Sequence, residues 1–218
     1  MKIKDKITLS IEQKIAVGII GFLHVVGLFL LNFTNGNLYF FALDLVPINL
    51  IFTVLLLLKY QKNWNSGLLF FGILAVLTGF IIEVIGTKTG LIFGQYSYGE
   101  VLGAKLFDTP LLIGLNWFLL TYCAGCTIEK LKISKWTKAL IISCSLVIFD
   151  YFMEPVAIKH GFWSWQNGNI PTQNYIGWFF TSLFLGLIFQ FSNWDKSNKV
   201  APLVLGIQFL FFLLQNIL

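Results

Sequence analysis

Residues 67–86 read GLLFFGILAVLTGFIIEVIG, an apolar stretch interrupted by one charged side chain, Glu83. About 20 apolar residues in a helix are needed to cross the hydrocarbon core of a bilayer, so this stretch predicts a transmembrane helix. A carboxyl group at membrane depth costs about 2.5 to 3.5 kcal/mol on insertion scales. Glu83 therefore requires a partner or a function.

Similar apolar stretches occur along the whole chain. Of its 218 residues, 57% are hydrophobic and only 11% are charged, whereas soluble domains carry about 25% charged residues. The sequence predicts an all-α polytopic membrane protein, with seven transmembrane helices forming a single domain over residues 1–218. The predicted spans are 13–32, 38–58, 67–86, 110–128, 136–153, 173–192 and 200–217.

The lysines predict the orientation of this bundle. All 15 positively charged residues are lysines. With seven alternating spans, one side holds Lys2, Lys4, Lys6, Lys14, Lys59, Lys62, Lys130, Lys132, Lys135, Lys138, Lys196 and Lys199. Only Lys88, Lys105 and Lys159 remain on the other side. The positive-inside rule then places the N-terminus in the cytoplasm and the C-terminus outside a cytoplasmic membrane. The net charge of +5 is thereby explained as anchoring charge, and no nucleic-acid partner is expected.

Four acidic side chains fall in or beside the predicted spans near the outer face: Asp44, Glu83, Asp150 and Glu154. At about 1.5 Å of rise per residue, this topology places them at a similar depth. Asp150 and Glu154 share a helix face if that helix continues to Pro155. Close carboxyls in a poor dielectric do not both ionise easily, which separates a proton donor from a proton acceptor. The sequence thus predicts an acidic catalytic site.

A structural explanation for these acids is also open. They could pair with Lys88 or Lys159, or lie in headgroup water as charges at helix ends.

The two outer connections, residues 87–109 and 154–172, are long and rich in glycine and aromatic residues. Long connections of this kind usually carry function, and this favours the catalytic explanation.

Other reactive side chains give weaker indications. His24 lies near mid-membrane, where an interhelical hydrogen bond is the simpler role, and His160 lies in the outer connection, where it could assist proton transfer. Cys123 and Cys126 form a lone C-x-x-C in an apolar helix, which is more typical of small packing residues than of a redox or metal pair. No metal site and no cofactor are expected.

Two segments of the chain form a recognisable motif. The first is Glu83-x-x-Gly86-x-x-x-Gly90-x-x-Phe93-Gly94-x-Tyr96-x-Tyr98. The second contains Asp150-x-x-Met153-Glu154-Pro155-Val156-Ala157, Gly161-Phe162-Trp163-x-Trp165, Pro171, Asn174-Tyr175 and Gly177-Trp178. With Pro110 and Trp117, they resemble the membrane carotenoid 1,2-hydratases of the CruF type, a family that includes bisanhydrobacterioruberin hydratases. In that family the segment before the proline more often reads Met-Asp-Pro.

The resemblance implies addition of water across the terminal C1–C2 double bond of an acyclic ψ end group, as in lycopene or γ-carotene. Such chemistry needs an acid to protonate carbon and a carboxylate to direct water. The hypothesis makes Asp150 or Glu154 the donor and Glu83 the partner that holds water, with Asp44 a further candidate. Substrate contacts are expected from Tyr96, Tyr98, Trp117, Trp163, Trp165, Asn174 and Trp178. The implied partners are a membrane-dissolved carotenoid, the bilayer and other enzymes of carotenoid synthesis.

Two other functions remain open at this point. A carotenoid cyclase protonates the same kind of bond but traps the cation with an internal alkene, so it needs a dry site where a hydratase needs a wet one. A small membrane carrier would usually show polar residues through the full depth and a pseudo-repeat, whereas here the polarity gathers at one end. A retinal protein is disfavoured because the last span contains no lysine.

Overall fold

The computed structural model describes residues 9–218, and within them the chain is a bundle of eight α-helices with four short strands. The helices are α1 (Ile11–Phe33), α2 (Asn37–Asp44), α3 (Val46–Lys59), α4 (Ser66–Thr89), α5 (Leu112–Ile128), α6 (Lys135–Lys159), α7 (Thr172–Phe191) and α8 (Ala201–Ile217). The strands are β1 (Tyr96–Tyr98), β2 (Lys105–Leu106), β3 (Thr109–Pro110) and β4 (Trp163–Trp165). The expected all-α bundle is confirmed. Lys2, Lys4 and Lys6, which the orientation prediction uses, lie outside the described residues.

Five segments of the described chain are long and apolar enough to cross a membrane: α1, Asn37–Lys59, α4, α6 and α7. The other two expected spans correspond to α5 and α8, which are apolar but have only 17 residues each. The protein is therefore a multi-pass membrane protein, and the count of seven spans remains a prediction. The outward surfaces of α1 and α3 carry many exposed apolar side chains, which suits contact with lipid.

The second predicted span is divided into two helices. α2 ends at Asp44 and α3 begins at Val46, with Pro47 in its first turn. Proline has no N–H to donate to the carbonyl group four residues earlier and disfavours helical geometry in the residue before it. The division therefore follows from Pro47.

α6 is longer than predicted. It continues through Pro155 to Lys159, six residues beyond the expected end at 153, so the outer connection is correspondingly shorter. The chain then turns at Gly161, whose φ of +71° lies in the left-handed region that favours glycine. This extension keeps Glu154 one helical turn from Asp150, as the shared-face argument requires.

The strands form two small antiparallel sheets that the sequence pattern does not predict. β1 pairs with β4 and β2 pairs with β3. The first pair joins the connection after α4 to the connection after α6, with Tyr96 opposite Trp165 and Tyr98 opposite Trp163. Side chains alternate between the two faces of a strand, so these four aromatic side chains share one face. Ser97 and Ser164, the residues between them, are exposed on the other.

Candidate active site

Glu83 is buried near the outer end of α4, where it is only 4% exposed. Its Oε2 accepts hydrogen bonds from the hydroxyl groups of Tyr96 (2.5 Å) and Tyr98 (2.7 Å). Its Oε1 accepts one from Nε1 of Trp117 at 2.9 Å. All three donors are neutral, so they stabilise a carboxylate without cancelling its charge.

Two glycines of α4 allow these donors to approach. A Cβ atom added at Gly79 would lie 2.5 Å from Cβ of Trp117, and one added at Gly86 would lie 2.9 Å from the Tyr96 hydroxyl oxygen. Both distances are too short for any side chain larger than hydrogen. The small residues on either side of Glu83 therefore permit close packing of α5 and β1 against α4.

Burial governs the state of the two phenols. Desolvation raises the pKa of Tyr96 and of Tyr98 far above the ordinary value for tyrosine, and the neighbouring Glu83 raises both further. Because each hydroxyl keeps its proton throughout the physiological range, both remain donors to Glu83.

Glu154 and Asp150 form a second buried group on α6. Glu154 is 2% exposed and Asp150 is fully buried. Nε1 of Trp163 and Nε1 of Trp165 each donate to Oε2 of Glu154 at 2.9 Å. Glu154 is thereby held by two indoles that the β4 strand places on one face.

Asn174, in the first turn of α7, links the two carboxyls of α6. Its Nδ2 donates to Oδ2 of Asp150 at 2.7 Å and to Oε1 of Glu154 at 3.1 Å. Oδ1 of Asp150 has no hydrogen-bond partner among the described residues. Glu154 thus accepts three hydrogen bonds where Asp150 accepts one. Two negative charges this close and this buried repel strongly, so the pair is expected to share a proton.

No cation neutralises these acids in the described part of the chain. Lys88 forms its ion pair with the exposed Asp108, and Nζ of Lys159 donates to Oδ1 of Asn32 at 3.0 Å. The structural explanation by pairing with Lys88 or Lys159 therefore does not hold. The desolvation of Glu83, Asp150 and Glu154 is instead offset by neutral phenol, indole and amide donors.

A small chamber of about 20 Å³ lies between the two groups. A cavity holds one water molecule when the space open to the centre of that molecule is at least roughly 10–15 Å³. The chamber therefore has room for one water. Its lining is Glu83, Phe93, Tyr96, Tyr98, Ile113, Met153, Glu154, Trp163, Trp165, Asn174 and Trp178. Glu83 and Glu154 both line it, whereas Asp150 does not.

A larger cavity of about 190 Å³ adjoins this chamber. Ile113, Met153 and Trp163 line both spaces. The larger cavity extends among α1, α2, α3, α5, α6 and α8 and is mainly apolar. A polyene end group can occupy such a space while the polar chamber holds water.

The structure brings together most of the residues that the sequence indicated. Glu83, Asp150, Glu154, Tyr96, Tyr98, Trp117, Trp163, Trp165, Asn174 and Trp178 converge in one region, with the rings of Trp117 and Trp178 centred 4.1 Å apart. Asp44 is the exception, because it is exposed at the end of α2 and does not line the chamber. The expected convergence of all four acids is therefore wrong for Asp44.

Several other residues have positions that the sequence did not indicate. Phe93, Ile113 and Met153 line the chamber; only Phe93 and Met153 lie in the recognised motif, and nothing in the sequence distinguishes Ile113. His160 lies outside the chamber, where its Nδ1 is 3.0 Å from the Tyr39 hydroxyl. It lines the larger cavity.

Comparison with known proteins identifies a family and a relative. A family model described as carotenoid biosynthesis protein matches residues 43–218. A bisanhydrobacterioruberin hydratase from Haloarcula japonica is 29% identical over 125 residues, which cover 54% of this chain and 42% of that relative. This chain thus spans less than half of the relative's length. No solved structure matches the chain.

Proposed function

The chain belongs to the carotenoid biosynthesis protein family, and we propose that it is a carotenoid hydratase acting on the terminal C1–C2 double bond of an acyclic ψ end group. Lycopene and γ-carotene are substrates of this kind, and the product is a tertiary 1-hydroxy carotenoid. The observation that carries the proposal is a water-sized chamber lined by Glu83 and Glu154 that opens beside an apolar cavity. The name of the Haloarcula japonica relative supports the same reaction class.

Glu154 is the proton donor in this mechanism, because it is the member of the α6 pair that lines the chamber. Its proton passes to C2 of the alkene, which leaves a tertiary cation at C1. Trp163 and Trp165 stabilise the resulting carboxylate through their N–H groups. Asp150 does not line the chamber and affects this step through Glu154, because the charge state of Asp150 sets how readily Glu154 releases its proton.

Glu83 is the base. It accepts three hydrogen bonds from neutral donors, so it can remain ionised while buried and can orient a water molecule in the chamber. As the water oxygen bonds to C1, Glu83 takes one of its protons. Return of that proton to Glu154 through the next water restores the site, and the sum is alkene plus water giving alcohol.

The aromatic lining of the chamber suits a cationic intermediate. Tyr96, Tyr98, Trp163 and Trp165 surround the space between the two carboxyls, and the negative faces of aromatic rings attract cations. Addition of water changes no overall oxidation state, so the proposed reaction requires no redox cofactor.

The proposed location follows from the lysines and from the position of the acids. Lys88, Lys105 and Lys159 lie at the chamber end of the bundle, and the lysines of the three opposite links lie at the other end. We place the chamber near the outer face of the cytoplasmic membrane, with seven spans, the N-terminus inside and the C-terminus outside.

Expression in a host that makes lycopene or γ-carotene tests the proposal. Chromatography and mass spectrometry of the pigments should show a more polar product heavier by one water. Glu83→Gln and Glu154→Gln should each reduce it by about 10²- to 10⁴-fold, whereas Glu100→Gln, which alters an exposed carboxyl at the same end of the bundle, should not. An isomeric product of unchanged mass would identify a cyclase and reject the hydratase.

A further inference from the structure

The end of the bundle opposite the chamber is strongly basic where α6 begins and α7 ends. Residues 129–138 and 192–199 contain only two acidic residues, Glu129 and Asp195. The same two stretches contain six lysines, which are Lys130, Lys132, Lys135, Lys138, Lys196 and Lys199. The stretches are neighbours in space, because the ring of Trp136 in α6 is centred 5.3 Å from that of Phe191 in α7. Their positive charges therefore gather at one place.

Two of these lysines are packed against the protein. Lys138 is only 8% exposed, and its Nζ donates to the carbonyl oxygen of Glu129 at 2.5 Å and lies 3.2 Å from Oε2 of the same residue. Lys196 is half-buried, and its Nζ donates to the carbonyl oxygen of Ser192 at 2.7 Å and lies 5.4 Å from the centre of the Trp194 ring. Lysines that only anchor a helix extend their ammonium groups into water. These two ammonium groups do not.

The acidic residues nearby leave an excess of positive charge. Glu129 pairs with Lys138, and Oδ1 of Asp195 accepts a hydrogen bond from the backbone N–H of Ser197. Burial lowers the pKa of Lys196 below its ordinary value, and the charges of Lys135 and Lys138 lower it further, whereas Glu129 opposes this effect. Crowded, partly desolvated cations are stabilised by an anion placed among them.

An exposed apolar surface adjoins these cations. Trp136 is 66% exposed and Phe191 is 51% exposed. Nζ of Lys135 lies 5.1 Å from the centre of the Phe191 ring, so a cationic group and an apolar surface are side by side on the outside of the α6–α7 pair. A small inorganic anion uses only the lysines. A phospholipid uses both, with its phosphate at the lysines and an acyl chain along the rings.

We propose that Lys135, Lys138, Lys196, Trp136 and Phe191 form a binding site for one anionic phospholipid, such as phosphatidylglycerol. Basic sites between membrane helices recognise anionic headgroups, and tryptophan favours the membrane interface. The bound lipid contacts both α6 and α7, so it holds the ends of these two helices together. The site lies at the opposite end of the bundle from the chamber and does not depend on the proposed hydration.

Lipid binding can be measured directly on the purified full-length protein. Native mass spectrometry of the protein in detergent counts the lipid molecules that remain bound. The probes are phosphatidylglycerol and phosphatidylcholine with identical acyl chains. Each lysine near an anionic headgroup strengthens binding by about fivefold, so the first bound phosphatidylglycerol should be retained at least about fivefold more tightly than phosphatidylcholine.

Substitutions identify the groups responsible. Lys135→Gln and Lys196→Gln should each lower the preference for phosphatidylglycerol by about fivefold. Lys135 is exposed, so its replacement leaves the packing of the bundle intact. The matched controls are Lys59→Gln and Lys62→Gln, which alter exposed lysines in and after α3 at the same end of the bundle; both should keep the full preference.

Trp136→Ser distinguishes a lipid site from a site for a small anion. It should weaken retention of both lipids, because their acyl chains are the same. Inorganic phosphate at the concentration of the lipid should not displace phosphatidylglycerol from the wild-type protein. Displacement by inorganic phosphate would overturn the lipid site in favour of a small-anion site.

Two other results would overturn the site. The first is equal retention of the two lipids by the wild-type protein. The second is the same loss of preference in Lys59→Gln and Lys62→Gln as in Lys135→Gln, which would show that the lysines of this end attract anionic lipids only as a diffuse charge. Carotenoid turnover enters none of these measurements, so their outcome is separate from that of the proposed function.

Discussion

The two ends of the bundle each contain a buried polar cluster, and the clusters differ in charge. At the chamber end, three carboxyls are surrounded by neutral donors. At the opposite end, Asn198 donates from Nδ2 to the Tyr122 hydroxyl oxygen and to the Leu57 carbonyl oxygen, both at 2.9 Å, and Tyr122 donates to Gln61. We call Gln61, Tyr122 and Asn198 the inner cluster.

Hydrogen bonding is nearly complete in the inner cluster. Gln61 Nε2 donates to the carbonyl oxygen of Asp195 at 2.7 Å, and Oδ1 of Asn198 accepts from the backbone N–H of Val200 at 3.0 Å. These bonds join α3, α5 and the links 60–65 and 192–200. Buried neutral groups that are fully paired hold a fold together. Buried acids without a cation are better explained by chemistry.

The largest expected difference between the two ends comes from Glu154→Gln. Glutamine keeps the size of the side chain and cannot donate a carboxylic proton, so hydration should fall by about 10²- to 10⁴-fold. The measurement is product formation per folded molecule, with Glu100→Gln as the control. Activity within a few-fold of wild type would mean that Glu154 is not the acid.

A matched set of tyrosine substitutions sharpens the comparison. Tyr96→Phe and Tyr98→Phe each remove one donor to Glu83, and hydrogen bonds to charged groups are worth about 1.5–3 kcal/mol. Hydration should therefore fall about ten- to a hundredfold. Tyr122→Phe should leave hydration per folded molecule unchanged. If Tyr122→Phe reduces hydration as much as the other two, the functional distinction between the clusters is lost.

Two asparagines give the converse test. Asn198→Ala should lower the free energy of unfolding by about 1–3 kcal/mol, since it removes the hydrogen bond that the Tyr122 hydroxyl accepts and leaves the Val200 N–H without its partner. Hydration per folded molecule should persist. Asn174→Ala should impair hydration, because it removes the amide that links Asp150 and Glu154. Thermal unfolding and turnover of both variants, measured side by side, check the prediction. Identical profiles for the two would contradict it.

The smallest expected effect is a pH dependence at the chamber end. Burial lowers the pKa of His160 below its ordinary value of 6.5. At acidic pH the unfolded chain then binds more protons than the folded one, so His160 makes stability fall as pH drops from above 6.5 toward the folded value. Thermal unfolding from about pH 8 to about pH 5 should show a shallower decline for His160→Gln. If stability declines as steeply in His160→Gln as in the wild type, other titratable groups cause the decline.

The sequence predicts the depth of the acidic side chains in the membrane better than it predicts whether they face into the bundle. Rise along a helix depends only on residue number, so Glu83, Asp150 and Glu154 were expected at one level, and they lie there. Which way a helix faces depends on packing against its neighbours. Asp44 has the expected position along its segment but faces out of the bundle, at a break caused by Pro47.

No local sequence pattern predicts the pairing of β1 with β4. Tyr-Ser-Tyr and Trp-Ser-Trp alternate as strands do, but each is only three residues long and the two lie in different connections. They meet because the connections that follow α4 and α6 lie at the same end of the bundle. Through this pairing the aromatic residues become specific donors to Glu83 and Glu154. A high density of aromatic residues alone is also typical of a membrane interface.

The most direct test of the proposed chemistry is turnover by the purified protein with an acyclic ψ-end carotenoid in isotopically labelled water. We expect one product, heavier by one molecule of water, that carries the labelled oxygen as a tertiary alcohol, and about 10²- to 10⁴-fold less of it from Glu154→Gln. An unlabelled isomer of the substrate, or equal product from Glu154→Gln, would contradict acid-initiated hydration in this chamber.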